Sequence, residues 1–154
     1  MTRLNVSSLV LLDTNILVHV VRRDAVGRQI MENHSLLDRA DRPLISVVTL
    51  GEIESLAEKF GWGEPKKKVL RELLRELVIV QLGQGDIVPK YSEIDHYCER
   101  VIKPARPMGQ NDMWIAATAS ATGATLLTTD SDFDHLDPTF VNRIRFDVAT
   151  GKQM

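Results

Sequence analysis

The sequence predicts an α/β fold in which helices flank a central parallel sheet. Three observations carry that expectation. Short continuous apolar runs, such as Leu9-Val10-Leu11-Leu12 and Thr125-Leu126-Leu127-Thr128-Thr129, have the character of strands buried on both faces. Between these runs the apolar residues change to helical spacing. The two signals alternate along 154 residues, a length that suits one domain.

The elements follow in order. Leu9 to Leu12 is the first strand, and Thr14 to Val21 turns helical with Ile16, Leu17, Val20 and Val21 apolar. Gly27 to Ala40 reads as a second helix, which Pro43 terminates. Leu44 to Val48 is a second strand, with a helix from about Thr49 to Phe60 behind it. Gly61-Trp62-Gly63 interrupts, and Pro65 opens a helix whose core carries Val69, Leu70, Leu73 and Leu74. Leu77 to Leu82 is β-branched enough for a third strand. A turn at Gly83 to Gly85 leads to a helix over Asp86 to Ile102 and a proline-bearing loop over Lys103 to Gly109. Asn111 to Thr122 is an alanine-rich helix with Gly123 at its C-cap. Thr125 to Thr129 is a fourth strand, and Ile144 to Asp147 a short fifth. The expected organisation is an extension over 1–8, one domain over 9–148 and a loose tail over 149–154.

Composition excludes several classes. A chain that is 44% hydrophobic and 26% charged has the balance of an ordinary globular protein. No stretch approaches the ~20 apolar residues that span a membrane, and no secretory signal is visible, so a cytoplasmic location is expected. The lone cysteine, Cys98, can form neither an internal disulfide nor a zinc site and is expected as a small packed hydrophobe. A net charge of −2 argues against a broad electropositive nucleic-acid surface but allows a small one.

The chemistry is written in the acids. The first strand stops at Asp13 and the fourth at Asp130, while Glu52 and Asp112 open amphipathic helices. Ligands of open α/β sheets sit outside the carboxyl ends of the strands. Each acid alone has a bland reading. Asp13 suits a helix N-cap, Glu52 stands three residues after Thr49 at capping-box spacing, Asp112 suits a helix dipole and Asp130 suits a turn. Capping does not explain why two acids follow buried strands directly, nor the polar companions Asn15, Asn111, Thr129 and Asp132. Four carboxylates at one edge repel: at about 4 Å and a dielectric near 20, each pair costs roughly 4 kcal/mol. A hard divalent cation relieves that, and an all-oxygen donor set suits Mg²⁺.

Other motifs fail. Asp130-Ser131-Asp132-Phe133-Asp134 mimics an EF-hand loop, but His135 and Val141 stand where glycine and glutamate are needed. Asp13-Thr14-Asn15 lacks the second carboxylate of an aspartyl phosphotransferase. No Walker A or Gly-x-Gly-x-x-Gly loop is present. His19, His34, His96 and His135 share no ligand spacing. The Lys66-Lys67-Lys68 run reads as a solvated face, Arg22 and Arg23 as phosphate-contact candidates, and the few aromatics offer no obvious base-stacking platform.

Leu12-Asp13-Thr14-Asn15, Thr49-Leu50-Gly51-Glu52-Ile53, Asn111-Asp112-Met113-Trp114-Ile115-Ala116-Ala117 and Thr128-Thr129-Asp130-Ser131-Asp132-Phe133 occur in this order. With these pieces the chain resembles the PIN-domain nucleases, most closely the VapC-type toxins of type II toxin–antitoxin pairs. The resemblance covers residues from about Leu9 to Leu136. It implies a PIN-like three-layer α/β/α sandwich with a central parallel sheet of four to five strands. It implies an Mg²⁺- or Mn²⁺-dependent endonuclease acting on RNA. By position, Asp13, Glu52, Asp112 and Asp130 are the catalytic and metal-binding quartet, Asn15 and Thr129 its supports and Asp132 an outer ligand. Whether Asp130 or Asp132 holds the last position is left open. The resemblance also implies a homodimer and a small VapB-like antitoxin partner.

The expected reaction is metal-assisted phosphodiester hydrolysis, with Asp13, Asp112 and Asp130 on one or two ions, Glu52 acting partly through water, and Arg22 or Arg23 orienting the backbone. Two rivals belong to other classes. A catalytically silent PIN-like module would bind RNA or protein without cutting, and a metal phosphatase would turn over a small phosphoester. Metal titration separates the first and substrate choice the second.

Overall fold

The computed structural model describes residues 9–154, so the extension over 1–8 lies outside the described residues. Five strands form one parallel sheet: β1 (Val10–Leu12), β2 (Leu44–Ser46), β3 (Val78–Val80), β4 (Thr125–Thr128) and β5 (Asn142–Arg145), in the order β3-β2-β1-β4-β5. Six α-helices connect them: α1 (Thr14–Arg22), α2 (Ala25–Asn33), α3 (Val47–Lys59), α4 (Glu64–Arg75), α5 (Ile87–His96) and α6 (Gln110–Thr122).

Strand alternation divides the core in two. Val10, Leu12, Ile45 and Leu127 point to one face and pack with α1 to α4 through Ile16, Leu17, Val26, Ile30, Ile53 and Leu70. Leu11, Leu44 and Leu126 point to the other and pack with α5 and α6 through Ile87, Ile94, Ile115 and Ala116. Two faces covered by helices make the expected three-layer α/β/α sandwich, and the inner strands β1, β2 and β4 are buried along their whole length.

Strand order positions the site. From β1 the chain moves outward through β2 to β3, then crosses to β4 and β5 on the other side. The order therefore reverses between β1 and β4, where open α/β sheets bind ligands. Register pairs Leu12 with Leu127, and the Asp13 amide donates to the Leu127 carbonyl at 3.0 Å. The residues leaving β1 and β4 thus emerge side by side.

Several boundaries differ from the sequence expectation. The second helix ends at Asn33, not Ala40, because His34 caps it and Ser35 turns left-handed at φ 46°. The second strand ends at Ser46, whose hydroxyl accepts from the Val48 amide and starts α3 two residues early. Thr49 is therefore a buried helical residue, not a capping-box partner of Glu52. The helix expected to Ile102 turns to π-type winding over Tyr97–Val101. A 3₁₀ turn over Ser131–Leu136, absent from the expectation, follows β4. The fifth strand lies at 142–145, two residues earlier than expected, as a polar edge strand pairing only with β4.

Residues 149–154, expected to be loose, return to the body. Phe146 and Gln153 form an antiparallel bridge, and the Met154 amide donates to the Arg145 carbonyl at 2.8 Å. Gly151 has φ +76°, and a Cβ there would stand 2.7 Å from the Ala25 carbonyl oxygen, so the turn sits directly on the start of α2. Cys98 is fully buried, as expected of a packed hydrophobe.

Candidate metal centre

One open depression of about 300 Å³ at the switch point is lined by Asp13, Asn15, Glu52, Asp112 and Asp130, with Thr14, Val18, His19, Arg22, Leu56 and Phe60 completing its wall. All four acids of the expected quartet are brought together. Each arrives on a different element: Asp13 after β1, Glu52 in the second turn of α3, Asp112 in the first turn of α6 and Asp130 after β4.

Asp13 is 4% exposed. Its Oδ1 accepts from the Thr14 amide at 2.8 Å, so the capping reading is correct and incomplete. Its Oδ2 accepts from Asn15 Nδ2 at 3.2 Å and from the Thr128 hydroxyl at 2.7 Å. Burial pushes the carboxyl up to about 6, partly opposed by the Thr128 hydroxyl and the Thr14 amide, with Asp130 and Glu52 adding repulsion.

Glu52 is held at both oxygens. The Thr14 hydroxyl donates to Oε1 at 2.6 Å, and Asn111 Nδ2 donates to Oε2 at 3.0 Å. The second bond ties α3 to α6. Asp112, by contrast, is pushed up to about 7, first by burial and then by Asp13, Asp130, Asp132 and Glu52 in turn. Four other carboxylates acting on one group is the electrostatic signature of acids crowded into one site.

Asp130 caps the 3₁₀ turn by accepting from the Asp132 amide at 2.9 Å, and its own amide donates to the Thr128 hydroxyl oxygen at 3.0 Å. One oxygen each from Asp112, Asp130 and Asp132 lie within 4.8 Å of one another. Hard carboxylate oxygens at this separation fit a small divalent cation, and Asp13 borders the same space. No histidine joins the cluster. His19 Nδ1 pairs with Asp24 at 2.6 Å, His34 lies edge-on to Phe146, and His135 Nε2 lies 3.2 Å from Cys98 Sγ.

The supporting residues are only partly those the sequence suggested. Thr129 contributes its backbone amide, which donates to Asn15 Oδ1 at 3.2 Å. The hydroxyl on Asp13 belongs to its neighbour Thr128, and Thr14 similarly serves Glu52. Neither was singled out from sequence, although alternation along β4 places Thr128, two residues after Leu126, on one of two faces that the run alone does not distinguish. Arg22 lines the depression. Arg23, the left-handed C-cap of α1, lines a separate groove with Gly27, Arg28 and Leu73.

Comparison with known proteins agrees with the geometry. The family model for the PIN domain matches residues 10–138, and the chain belongs to the PIN domain family. It is 31% identical over 119 residues to Ribonuclease VapC1 of Haemophilus influenzae strain R2866, covering 77% of this chain and 84% of that protein. Within the family, therefore, the chain groups with the VapC-type proteins. The structure of VapBC-1 from nontypeable Haemophilus influenzae aligns with a TM-score of 0.69 at 26% identity, over 89% of this chain and 97% of that one. A member of the VapBC family of toxin–antitoxin systems, VapBC-5 from Mycobacterium tuberculosis, shares the fold at a TM-score of 0.62 and 22% identity, over 90% and 99% of the two chains.

Proposed function

We propose that this chain is a divalent-metal-dependent endoribonuclease, hydrolysing RNA phosphodiester bonds as the toxin of a VapBC-type pair. The observation that carries the reading is the convergence of Asp13, Glu52, Asp112 and Asp130 on one open depression at the switch point. A crowded edge of carboxylate oxygens, none of them ion-paired among the described residues, is suited to Mg²⁺ or Mn²⁺. The name of the H. influenzae relative adds the substrate class.

Asp13, Asp112 and Asp130 would hold the ion, with Asp132 at the outer side of the site. When bound, the ion supplies Lewis acidity to the scissile phosphate and acidifies the attacking water. The chain's own residues do the rest. Thr128 and Asn15 fix the Asp13 carboxylate, and Thr14 and Asn111 fix Glu52, so neither reorients when an ion or phosphate arrives. Arg22 offers a cation to the phosphate backbone from the wall of the depression.

The VapBC assemblies among the solved relatives support a small VapB-like antitoxin as partner; the homodimer is carried by the family resemblance alone. Among the described residues no helix is long and apolar enough to cross a membrane, which fits a cytoplasmic toxin. The deciding experiment incubates the purified chain with total cellular RNA in Mn²⁺, with and without EDTA, and maps the ends. Cleavage in Mn²⁺ that EDTA removes is expected. Full activity in both Asp13→Asn and Asp112→Asn overturns the assignment.

A further inference from the structure

We propose that Arg22 and Phe60 form a stacking platform for a nucleobase of single-stranded RNA at the rim of the acidic depression. The inference rests on the nuclease reading and adds what grips the substrate. Phe60 caps α3 and is 43% exposed. Among the described residues it is the only exposed phenylalanine, tyrosine or tryptophan, the others being buried or half-buried. A large ring left in water is unusual for its type, and this one stands in the wall of the same depression as the carboxylates.

The path from acids to ring is a single helix face. Glu52, Leu56 and Phe60 recur every fourth residue of α3, and all three line the depression. Eight residues of helix span about 12 Å, which puts the ring beside a nucleotide flanking the scissile phosphate. The ring is braced from behind: Trp62, itself buried, lies 5.8 Å away at a 40° tilt, and Lys66 Nζ stands 5.7 Å from the Trp62 ring centre.

Arg22 lies over Phe60 with its guanidinium carbon 4.6 Å from the ring centre. Among the described residues Arg22 makes no ion pair. A guanidinium seated over an aromatic ring brings N–H donors for a phosphate and a planar surface for a base. The chain needs such a device. Its net charge is −2 and its site is acidic, so long-range attraction for a polyanion is weak. Stacking is insensitive to that field and tolerant of sequence.

The test compares binding of two fluorescent probes in Ca²⁺, a short oligouridylate and an abasic strand of equal length and charge. The wild-type protein is expected to prefer the base-bearing strand by about tenfold or more. Phe60→Leu should abolish the preference and leave abasic affinity unchanged, Arg22→Lys should weaken it, and Phe60→Trp should keep it. Equal binding of both probes by the wild type, or an undiminished preference in Phe60→Leu, overturns the platform and leaves Phe60 a packing or protein-facing residue. If Phe60→Leu does not fold, Arg22→Lys and Phe60→Trp carry the comparison. RNA cleavage in Mn²⁺ with an undiminished preference in Phe60→Leu sinks the platform alone. No cleavage by the wild type sinks the nuclease reading, and the binding ratio still decides the platform.

Discussion

The Thr128 hydroxyl donates to Asp13 Oδ2 at 2.7 Å, across 115 residues of chain. The same hydroxyl oxygen accepts from the Asp130 amide at 3.0 Å. One threonine therefore sets the orientation of the buried acid after β1 and the path of the chain at the acid after β4.

Thr128→Val keeps the shape and removes both bonds. It leaves a buried carboxylate oxygen with one donor fewer, which costs about 1–3 kcal/mol of stability. RNA cleavage should fall about tenfold or more, while Thr128→Ser stays near wild type. Urea denaturation and cleavage rates check both; a Thr128→Val protein as stable and as active as the wild type contradicts the role given to this hydroxyl.

Stability of the metal-free protein should fall as pH rises. Asp13 and Asp112 ionise at about 6 and about 7 in the folded chain, against an ordinary 3.8. The folded state thus holds protons that the unfolded state has released. Their contribution is complete below pH 3.8 and is lost through about pH 6 to 7. Melting in EDTA is expected to occur at lower temperature at pH 8 than at pH 5.5, once other groups are matched by an Asp112→Asn control. Mn²⁺ should reverse the loss at pH 8. A flat profile with no response to Mn²⁺ would count against a metal-binding cluster.

Asp112→Asn should separate stability from activity. It removes a carboxyl that four neighbours repel, so at pH 8 without metal it should melt no lower than the wild type. Cleavage in Mn²⁺ should be lost, and so should most of the thermal stabilisation by Mn²⁺. Calorimetric titration and a cleavage assay read the two effects independently.

Gly27→Ala tests the scaffold. A Cβ at Gly27 would stand 2.2 Å from the His19 carbonyl oxygen and 2.7 Å from its carbon, a backbone clash between α2 and α1. The helices must separate, at about 1–3 kcal/mol or more. Chemical denaturation measures this, and cleavage should fall with it because α1 carries Thr14, Asn15 and Arg22 on the site side.

The acids were legible because a buried strand that stops at a carboxylate is a local event, visible in Leu12-Asp13 and Thr129-Asp130. Sheet faces were not. Thr128 and Thr129 are adjacent and chemically alike, and only the register of β4 against β1 decides which hydroxyl turns inward. The start of α3 differs because two hydroxyl residues, Ser46 and Thr49, both suit a cap; the Ser46 hydroxyl takes the Val48 amide, and Thr49 is buried in the first turn. Helix α2 read too long because Leu36 is a buried apolar residue in a turn, and periodicity alone credits it to the helix. Phe60 gave no signal at all, since exposure is a property of the folded surface.

The central place of β1 has a consequence for biosynthesis. The first strand made is the one that must wait longest, because its β4 neighbour spans Thr125–Thr128 of a 154-residue chain. Until then Asp13 has neither its threonine nor its partner acid, and non-local pairing of this kind is slow to form. A partly synthesised chain carries no cutting site. The acids that follow β1 and lie on α3 are thus made long before those that follow β4, and the depression is complete only when Thr125–Thr128 has joined the sheet.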